Sequence, residues 1–322
     1  MPHAVASSKS PGSRAIRRLF ARKSTITAFC FLCFVCLLTL ATPWLPLSSP
    51  KAIDLAAALS PPQLEVRSSA SHLDDSVRGF LFGDMEIHAL CGTDALGRDL
   101  LSRILWGARI SLVTALAAAF VSLTIGVLWG ATAGFVGGWL DNVMMRIVDV
   151  LYSIPFIFLV IFFVTVARGV PVFSGTMGNL TVFLVTLGLV YWLTMARVVH
   201  GQVISLRERE YVEAARALGG SSSRLVRSHV FPNLLPVIIV TLTLTIPKIL
   251  LVEAFLSFLG LGVQAPLVSW GTLSRDAFEV MTPIDPPWWL IFFPSVVIVA
   301  TLGALGHLGD ALRDALDPKD QT

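Results

Sequence analysis

The sequence predicts an all-α integral membrane protein with six transmembrane helices. Of its 322 residues, 55% are hydrophobic and only 14% are charged, whereas soluble domains carry about 25% charged residues. The mean hydropathy of +0.76 is correspondingly high. Six apolar segments are long enough to cross the hydrocarbon core of a bilayer as helices, which takes about 20 residues each. These features exclude a soluble globular domain.

The first of the six apolar segments, residues 26–47, follows a basic stretch without acidic residues. This order favours an uncleaved membrane anchor over a signal peptide, and cleavage near Ala41 stays open as the alternative. The five further segments share a largely apolar composition and cover residues 110–140, 150–167, 170–196, 237–261 and 288–308. Trp288 and Trp289 open the last segment, as is typical of a membrane interface.

Lysines and arginines concentrate in the N-terminal tail, in residues 201–233 and in the C-terminal tail. With six spans these three regions lie on one side of the membrane, and the positive-inside rule assigns that side to the cytoplasm. Arg98, Arg103 and Arg109 precede the second span on the other side and count against the rule. We expect them on a short interfacial helix, paired with Asp94 and Asp99.

These assignments divide the chain into a cytoplasmic basic tail (1–25), a first transmembrane helix (26–47), a periplasmic connector (48–109) and a five-helix core (110–322). The Pro- and Ser-rich composition of residues 48–90 predicts an irregular connector rather than a second folded domain. Within the core, the polar segment 201–233 separates two long apolar segments, and it is called the island below. One membrane domain is therefore expected to carry the function.

The island has the composition of two short helices joined by a turn. Residues 211–218 contain Glu, Ala, Arg and Leu, which favour helix, and Gly219 supplies a left-handed turn after them. The serines at 221–223 can cap a second helix that runs to Phe231, where Pro232 is predicted to stop it. A helix–turn–helix on the surface of a membrane protein is suited to contact with a partner.

Five residues of the island, at their particular spacing, resemble the Glu-Ala-Ala (EAA) loop of bacterial binding-protein-dependent ABC importer permeases: Glu213, Ala214, Ala215, Gly219 and Pro232. His229 departs from the aliphatic residue preferred in the general family and is similar to the His-x-x-Pro form of peptide-type subunits. Residues 92–103, 253–271 and 309–318 are similar to further signatures of oligopeptide and dipeptide permeases. The chain thus resembles the second permease subunit of such an importer.

This resemblance implies a type I ABC importer permease fold in the bacterial inner membrane, multi-pass, with both termini cytoplasmic. It implies four kinds of partner: a second homologous permease, two ATP-binding cassette ATPase subunits, an extracytoplasmic peptide-binding protein and the lipid bilayer. ATP would bind to the partner subunits, and no cofactor is implied for this chain. The implied ATPase-coupling residues are Arg209, Glu213, Ala214, Ala215, Gly219, His229 and Pro232.

Lys248 and Glu253 interrupt the fifth apolar segment. They lie about 140° apart around a helix, so they do not pair side by side. A charge at mid-bilayer costs about 2.5–3.5 kcal/mol on insertion scales. Lys248 is therefore expected to snorkel, to pair with an acid on a neighbouring helix, or to line the translocation path and attract a peptide carboxylate. Glu253 is the second candidate for the path, and anchoring at the outer interface is its alternative.

Other patterns limit the function classes. The sequence contains no Gly-x-x-x-x-Gly-Lys-Ser/Thr phosphate loop, so the chain itself is not expected to be an ATP-hydrolysing enzyme. No arrangement of Cys and His predicts a metal site. Arg146 and Asp149 are expected to pair with each other. A dipeptide, nickel or microcin-type ABC importer is the alternative within the class, and an ion-coupled secondary transporter that uses Asp149 and Glu253 is a less favoured one.

Overall fold

The computed structural model describes residues 19–20, 22–68, 85–171, 175–219 and 221–316, which are mainly helical. The helices are α1 (Lys23–Ala41), α2 (Leu100–Val136), α3 (Gly138–Ser153), α4 (Phe156–Arg168), α5 (Thr176–Arg207), α6 (Glu210–Ala217), α7 (Ser222–Leu225), α8 (Phe231–Phe258), α9 (Trp270–Glu279) and α10 (Trp289–Leu316). Strands β1 (Glu65–Ser68) and β2 (Met85–His88) pair antiparallel. Most of the predicted tail at residues 1–25 lies outside the described residues.

The spans agree in number with the prediction but differ in their limits. Helices α1, α2, α5, α8 and α10 are long and apolar enough to cross a membrane, and α3 and α4, bent by 95° relative to each other, are long and apolar enough when taken together. The predicted six-span, all-α membrane fold is confirmed when this bent pair is counted as one span. Helix α2 begins at Leu100 rather than at residue 110, and α5 ends at Arg207 rather than at residue 196.

The early start of α2 follows from a side-chain cap. Asp99 Oδ2 accepts a hydrogen bond from the backbone N–H of Ser102 at 2.7 Å, which satisfies a donor in the first turn. Arg103 and Arg109 therefore lie on α2, and the expected separate interfacial helix does not form. The cation of Arg109 lies over the ring of Trp106, with Cζ 5.1 Å from the ring centre.

Pro155 breaks the third span. A residue before proline is driven out of the α-helical region, and Ile154 is extended, with φ −81° and ψ 128°. Helix α3 consequently ends at Ser153 and α4 starts at Phe156. The predicted single span over residues 150–167 is therefore wrong in detail, because it begins within α3 and continues through the bend.

Two polar contacts hold α3 against α5. His200 Nε2 lies 2.6 Å from Asp141 Oδ1, and Arg197 Nη2 donates to Asp149 Oδ1 at 2.8 Å. The expected pairing of Asp149 with Arg146 is therefore wrong. Arg197 also stacks over the ring of Tyr152, with Cζ 4.0 Å from its centre, and this contact holds the guanidinium beside Asp149.

The centre of the bundle is the pair formed by α2 and α5. Gly126, Gly130 and Gly134 of α2 face α5 so closely that an added Cβ would collide with Met195 or the Ala196 carbonyl, or press against α5 near Val203. Small residues of this kind let membrane helices approach each other backbone to backbone. Helix α8 packs against both members of the pair and against α10, while α1 lies beside α10 and α2. The two central helices thus position α8.

The chain ends that the structure describes meet at the same end of the bundle as the island. Arg22, just before α1, forms an ion pair of 2.8 Å with Asp314 near the end of α10. Gln202 of the island and Pro236, just after it, line one cavity with Arg313 of α10. This end is called the island end, and the opposite one the connector end. The basic regions that the sequence placed on one side therefore lie together.

The connector is more ordered than predicted. In addition to the β1–β2 pair, Thr93 joins its parts: its Oγ1 accepts from the Ser60 backbone N–H at 2.9 Å, and its carbonyl accepts from Trp289 Nε1 at 3.1 Å. Most of the described connector is irregular as expected, and the short β1–β2 pair is its main regular element. Its polar groups bond to one another and to the ends of the spans, so the connector forms a cap on the bundle.

Asp94 is the centre of the connector's ion-pair network. Its carboxylate accepts from Arg98 Nε at 2.6 Å, from Arg103 Nη1, and from the backbone N–H groups of Leu96 and Arg98 at 2.9 Å each. Arg103, which is only 3% exposed, also donates to Asp276 of α9 at 2.9 Å. Carboxylates therefore balance the charges of Arg98 and Arg103, but the charge rule counts only Lys and Arg, so both arginines remain exceptions to it.

Candidate functional site: the island and one side of α8

The island forms two helical segments joined by a turn, in agreement with its composition. Helix α6 follows α5 closely, and α7 with a π-helical segment (Val226–Val230) leads into α8. The expectation that Pro232 stops the second helix is wrong, because Pro232 lies in the first turn of α8, where a missing N–H is tolerated. Val230 and Phe231 both keep helical backbone angles. The island therefore continues into α8 without a break.

One face of the island packs against the bundle. Val212 of α6, Leu225 of α7 and Val230 are at most 2% exposed. Val230 belongs to a cluster of buried side chains that includes Val199 and Val203 of α5. Burial of these branched side chains fixes the position of the island on the spans.

The opposite face of the island carries the residues predicted to contact a partner. Those that are exposed are Arg209, Glu213, Ala214, Gly219 and Pro232. Ala215 is half-buried, and His229 lies in the π-helical segment with a side chain outside the described part. Arg209 and Glu213 are one helical turn apart, since the Glu213 N–H donates to the Arg209 carbonyl at 3.1 Å. Most of the predicted residues are therefore accessible to a partner.

The turn of the island contains a glycine in the left-handed backbone region, preceded by an exposed apolar side chain. Gly219 has φ +83°, and no atom lies near the position of a Cβ, so its conformation rather than lack of space requires glycine. Leu218, just before it, is 89% exposed. Our sequence-based reasoning did not select Leu218, because a leucine at the end of a short helix is usually buried. Its position directly before the turn glycine was the available signal.

Lys248 lies on the exposed side of α8. The Tyr191 hydroxyl of α5 donates to the Lys248 carbonyl at 3.3 Å. Among the residues that the structure describes, no carboxylate forms an ion pair with Lys248. Its cation therefore faces away from the chain's own core, towards lipid, a partner or a path.

Glu253 lies inside the chain and not on an accessible surface. Its side chain is fully buried, and Oε1 accepts from Ser257 Oγ at 2.9 Å. The hydroxyls of Ser111 and Ser269 also interact with this carboxylate, although Oε2 has no well-aligned donor among the described residues. In this conformation the Glu253 carboxylate faces the inside of the chain and not an accessible surface.

The serines around Glu253 join three parts of the fold. Each serine oxygen also accepts a backbone N–H: Ser257 from Val263, Ser111 from Trp270 and Ser269 from Thr272. A hydroxyl that accepts in this way still has its hydrogen to donate. Glu253 is thus the common acceptor that holds α2, α8 and the start of α9 together at the connector end.

Six spans built around a close helix pair, with a helical loop that projects from one end and continues into a span, define a multi-span membrane permease. Residues 123–320 match the family described as binding-protein-dependent transport system inner membrane component. Residues 10–62 match the N-terminal TM domain of oligopeptide transport permease C. The chain belongs to the family of binding-protein-dependent transport system inner membrane components.

Several relatives are permease subunits of peptide transport systems. The chain is 45% identical over 238 residues to the oligopeptide transport system permease protein OppC of Escherichia coli strain K12, which covers 74% of this chain and 75% of the relative. It is 43% identical over 228 residues to the dipeptide transport system permease protein DppC of Bacillus subtilis. The matched region covers 71% of this chain and 68% of that relative.

The fold is also similar to solved structures of the MetNI methionine ABC transporter in inward facing conformations. One of them superimposes with a TM-score of 0.55 at 20% sequence identity and covers 68% of this chain and 98% of that chain. At this identity the likeness concerns the fold alone. It supports the type I ABC importer permease fold for this chain.

Proposed function

We propose that this chain is the transmembrane subunit of an ATP-driven ABC importer for oligopeptides. The observation that carries the proposal is the identity of about 45% with oligopeptide permeases along about three quarters of the chain. The exposed helical loop continuous with α8 supports it, because such a loop can pass motion from a partner into a span.

The assembly we propose contains a second homologous permease, two ATPase subunits at the island end and an extracytoplasmic peptide-binding protein at the connector end. The island end then faces the cytoplasm, and the basic residues concentrated there support this orientation. ATP hydrolysis occurs on the ATPase subunits, in keeping with the missing phosphate loop of this chain.

In this proposal the island is the contact with the ATPase. The ATPase binds the outer face of α6, where Arg209 and Glu213 provide charges and Leu218 provides an apolar side chain that loses its exposure on docking. Because the island runs into α8 through helical backbone, closure of the ATPases on ATP would move α8 as a lever. This movement would open the translocation cavity between the two permeases towards the outside. Hydrolysis would reset the arrangement.

A dipeptide importer is the second candidate. The similarity to the dipeptide transport permease of Bacillus subtilis favours it, at 43% identity. Substrate length separates the two, and the binding protein performs most of that selection. Uptake of labelled dipeptides against tetrapeptides by the complete transporter decides between them.

Charge reversal on the island tests the coupling role. In the reconstituted complex we expect Glu213→Lys and Gly219→Val to retain assembly but to lose most substrate-stimulated ATP hydrolysis, about tenfold or more, since about 1.4 kcal/mol of lost contact is a factor of ten. Glu213→Gln, which removes charge without reversing it, serves as the milder control. Normal stimulation by Glu213→Lys in an intact complex would show that the island is not the ATPase contact.

Cysteine labelling in a background without native cysteines tests the orientation. We expect a cysteine introduced at Ser221 in the island to react with an impermeant maleimide only after the membrane is opened. A cysteine introduced at Thr282 should react with the same reagent in intact spheroplasts. Both positions are exposed. Labelling of the Ser221 position from outside would invert the orientation and reject the importer assignment.

A further inference from the structure

One side of α8 is only partly covered by the rest of the chain. Four residues with spacings of four, three and four positions lie along that side: Val237, Thr241, Leu244 and Lys248. This set is called the α8 stripe. Lys248 is exposed and the other three are partly exposed, while a neighbouring side of α8 buries Ile238, Ile249 and Leu256 against the bundle. Leu244 also packs beside Gly309 of α10, so the chain covers the stripe in part and leaves it exposed at Lys248.

At the island end the α8 stripe forms the wall of a cavity of about 380 Å³ between α5, α8 and α10. Its lining is mostly apolar, with polar groups from all three helices: Gln202, Thr241 and Arg313. Among the described residues, Arg313 forms no ion pair, and Asp314 beside it is paired with Arg22 on the side of α1. The cavity thus offers a cation and a side-chain amide within an apolar wall.

The stripe carries a second cation further along. Lys248 lies eleven residues beyond Val237, which corresponds to about 16 Å along the helix axis. A lysine that faces open space within a span needs water or an anionic partner, because lipid does not solvate the ammonium group. The Tyr191 hydrogen bond to the Lys248 carbonyl fixes α5 beside α8 at this level. The stripe itself carries no acidic residue.

We propose that the α8 stripe lines the translocation path and guides substrates that carry a free carboxylate. The carboxylate end of the substrate moves first, from Lys248 to the cavity at Arg313. The inference rests on the proposed function and adds the chemical class of the substrate and its orientation. A peptide zwitterion carries its opposite charges at its two ends. Lys248 and Arg313 attract the carboxylate and repel the ammonium group, so the C-terminal end leads through the path.

The test uses the complete importer with its binding protein in proteoliposomes. The substrates are one peptide, its C-terminal amide and its N-acetyl form, each corrected for binding-protein affinity. We expect the wild type to import the free acid about five- to tenfold faster than the amide, as for one charge pair about 4 Å apart in a water-filled path. N-acetylation removes the repelled ammonium group and should not slow import. Lys248→Met should bring acid and amide within about twofold by slowing the acid alone, and Lys248→Arg should restore the preference.

Arg313→Gln should reduce the acid-to-amide preference in the same direction but less. Arg275→Gln serves as the matched control, because Arg275 is exposed at the connector end and paired with Glu279, away from the α8 stripe. An unchanged ratio in Lys248→Met would overturn the proposal, and so would an equal loss for all three substrates, which indicates a structural ion pair with a neighbouring subunit. Import of no peptide by the wild type would instead reject the proposed function.

Discussion

Polar side chains are buried near the connector end of α8 and exposed near its island end. At the connector end, Glu253 is fully buried and shared by serines of three elements. Nearby, Arg103 at 3% exposure lies between two carboxylates. At the island end, Arg209, Glu213 and Arg313 are exposed, and Leu218 extends into solvent at 89% exposure.

This difference separates residues that hold the chain together from residues that are free to contact something else. Buried polar groups are costly unless they are satisfied, so the connector end behaves as a rigid unit that ties α2, α8 and α9. Exposed charges contribute little to stability. Substitutions at the connector end should therefore change folding, and those at the island end should change coupling with little effect on folding.

Asp94→Ala should give the largest loss of stability. Removal of its carboxylate leaves Arg103 buried with one partner fewer and leaves two backbone N–H groups without an acceptor, at a cost of about 3–5 kcal/mol. Chemical unfolding of the purified chain in mixed micelles measures this loss. Asp314→Ala, which breaks an exposed pair with Arg22 at the island end, is the control and should cost less than about 1 kcal/mol. Equal stability of the two variants would remove the distinction between the ends.

Glu253→Gln should have an intermediate effect. The amide nitrogen cannot accept from the serine hydroxyls, so the variant loses about 1–3 kcal/mol in the same unfolding measurement. Ser257→Ala removes one of the donors. The double variant should lose less than the sum of the two single ones, because both act on one hydrogen bond. Full additivity would show that Glu253 and Ser257 are energetically independent.

Leu218→Ser should leave stability within about 0.5 kcal/mol of the wild type, since the side chain is exposed. It should nevertheless reduce substrate-stimulated ATP hydrolysis several-fold, because an apolar contact with the ATPase is lost. Ile284→Ser is the matched control: Ile284 is 97% exposed at the connector end, and its loss should leave stimulation unchanged. Equal stimulation in both variants would argue against Leu218 as a docking residue.

Cys91 offers a smaller test of how closed the connector end is. Burial, with a further contribution from the Asp99 carboxylate, raises the pKa of this thiol to about 11. A raised pKa means less thiolate at neutral pH, so iodoacetamide should react about tenfold more slowly than with an exposed cysteine at position 221. The rate should still be rising at pH 10. A plateau near pH 9 would indicate an open, ordinary environment.

Much of the architecture is predictable because it depends on local composition. Apolar segments of sufficient length define the spans, and the basic regions define which loops share a side. The helix–turn–helix of the island follows from helix-forming residues and Gly219. Two local predictions nevertheless fail: Pro232 does not end the second helix, because the first turn of α8 accepts it, and Asp99 starts α2 earlier than the apolar pattern indicates.

The positions of Lys248 and Glu253 in the structure could not be predicted from the residues next to them in the sequence. Both interrupt the same apolar segment, and the sequence makes both equal candidates for a path. Helical geometry separates them by about 140°, but which side faces the bundle depends on how α8 packs on α2 and α5. Ion pairs likewise depend on how the helices pack, since Asp149 pairs with Arg197 of another helix instead of with Arg146 of the same helix.

The amino-acid sequence by itself therefore determines the class of protein, the number of spans, the side shared by the basic regions and the surface loop, because each depends on residues close together in the chain. Only the tertiary structure decides that Glu253 is an internal acceptor, that the connector bonds to the end of a span, and that Lys248 shares a partly exposed stripe with the Arg313 cavity. These outcomes depend on which helix faces meet, and side chains far apart in sequence make that choice by packing and by satisfying one another's hydrogen bonds.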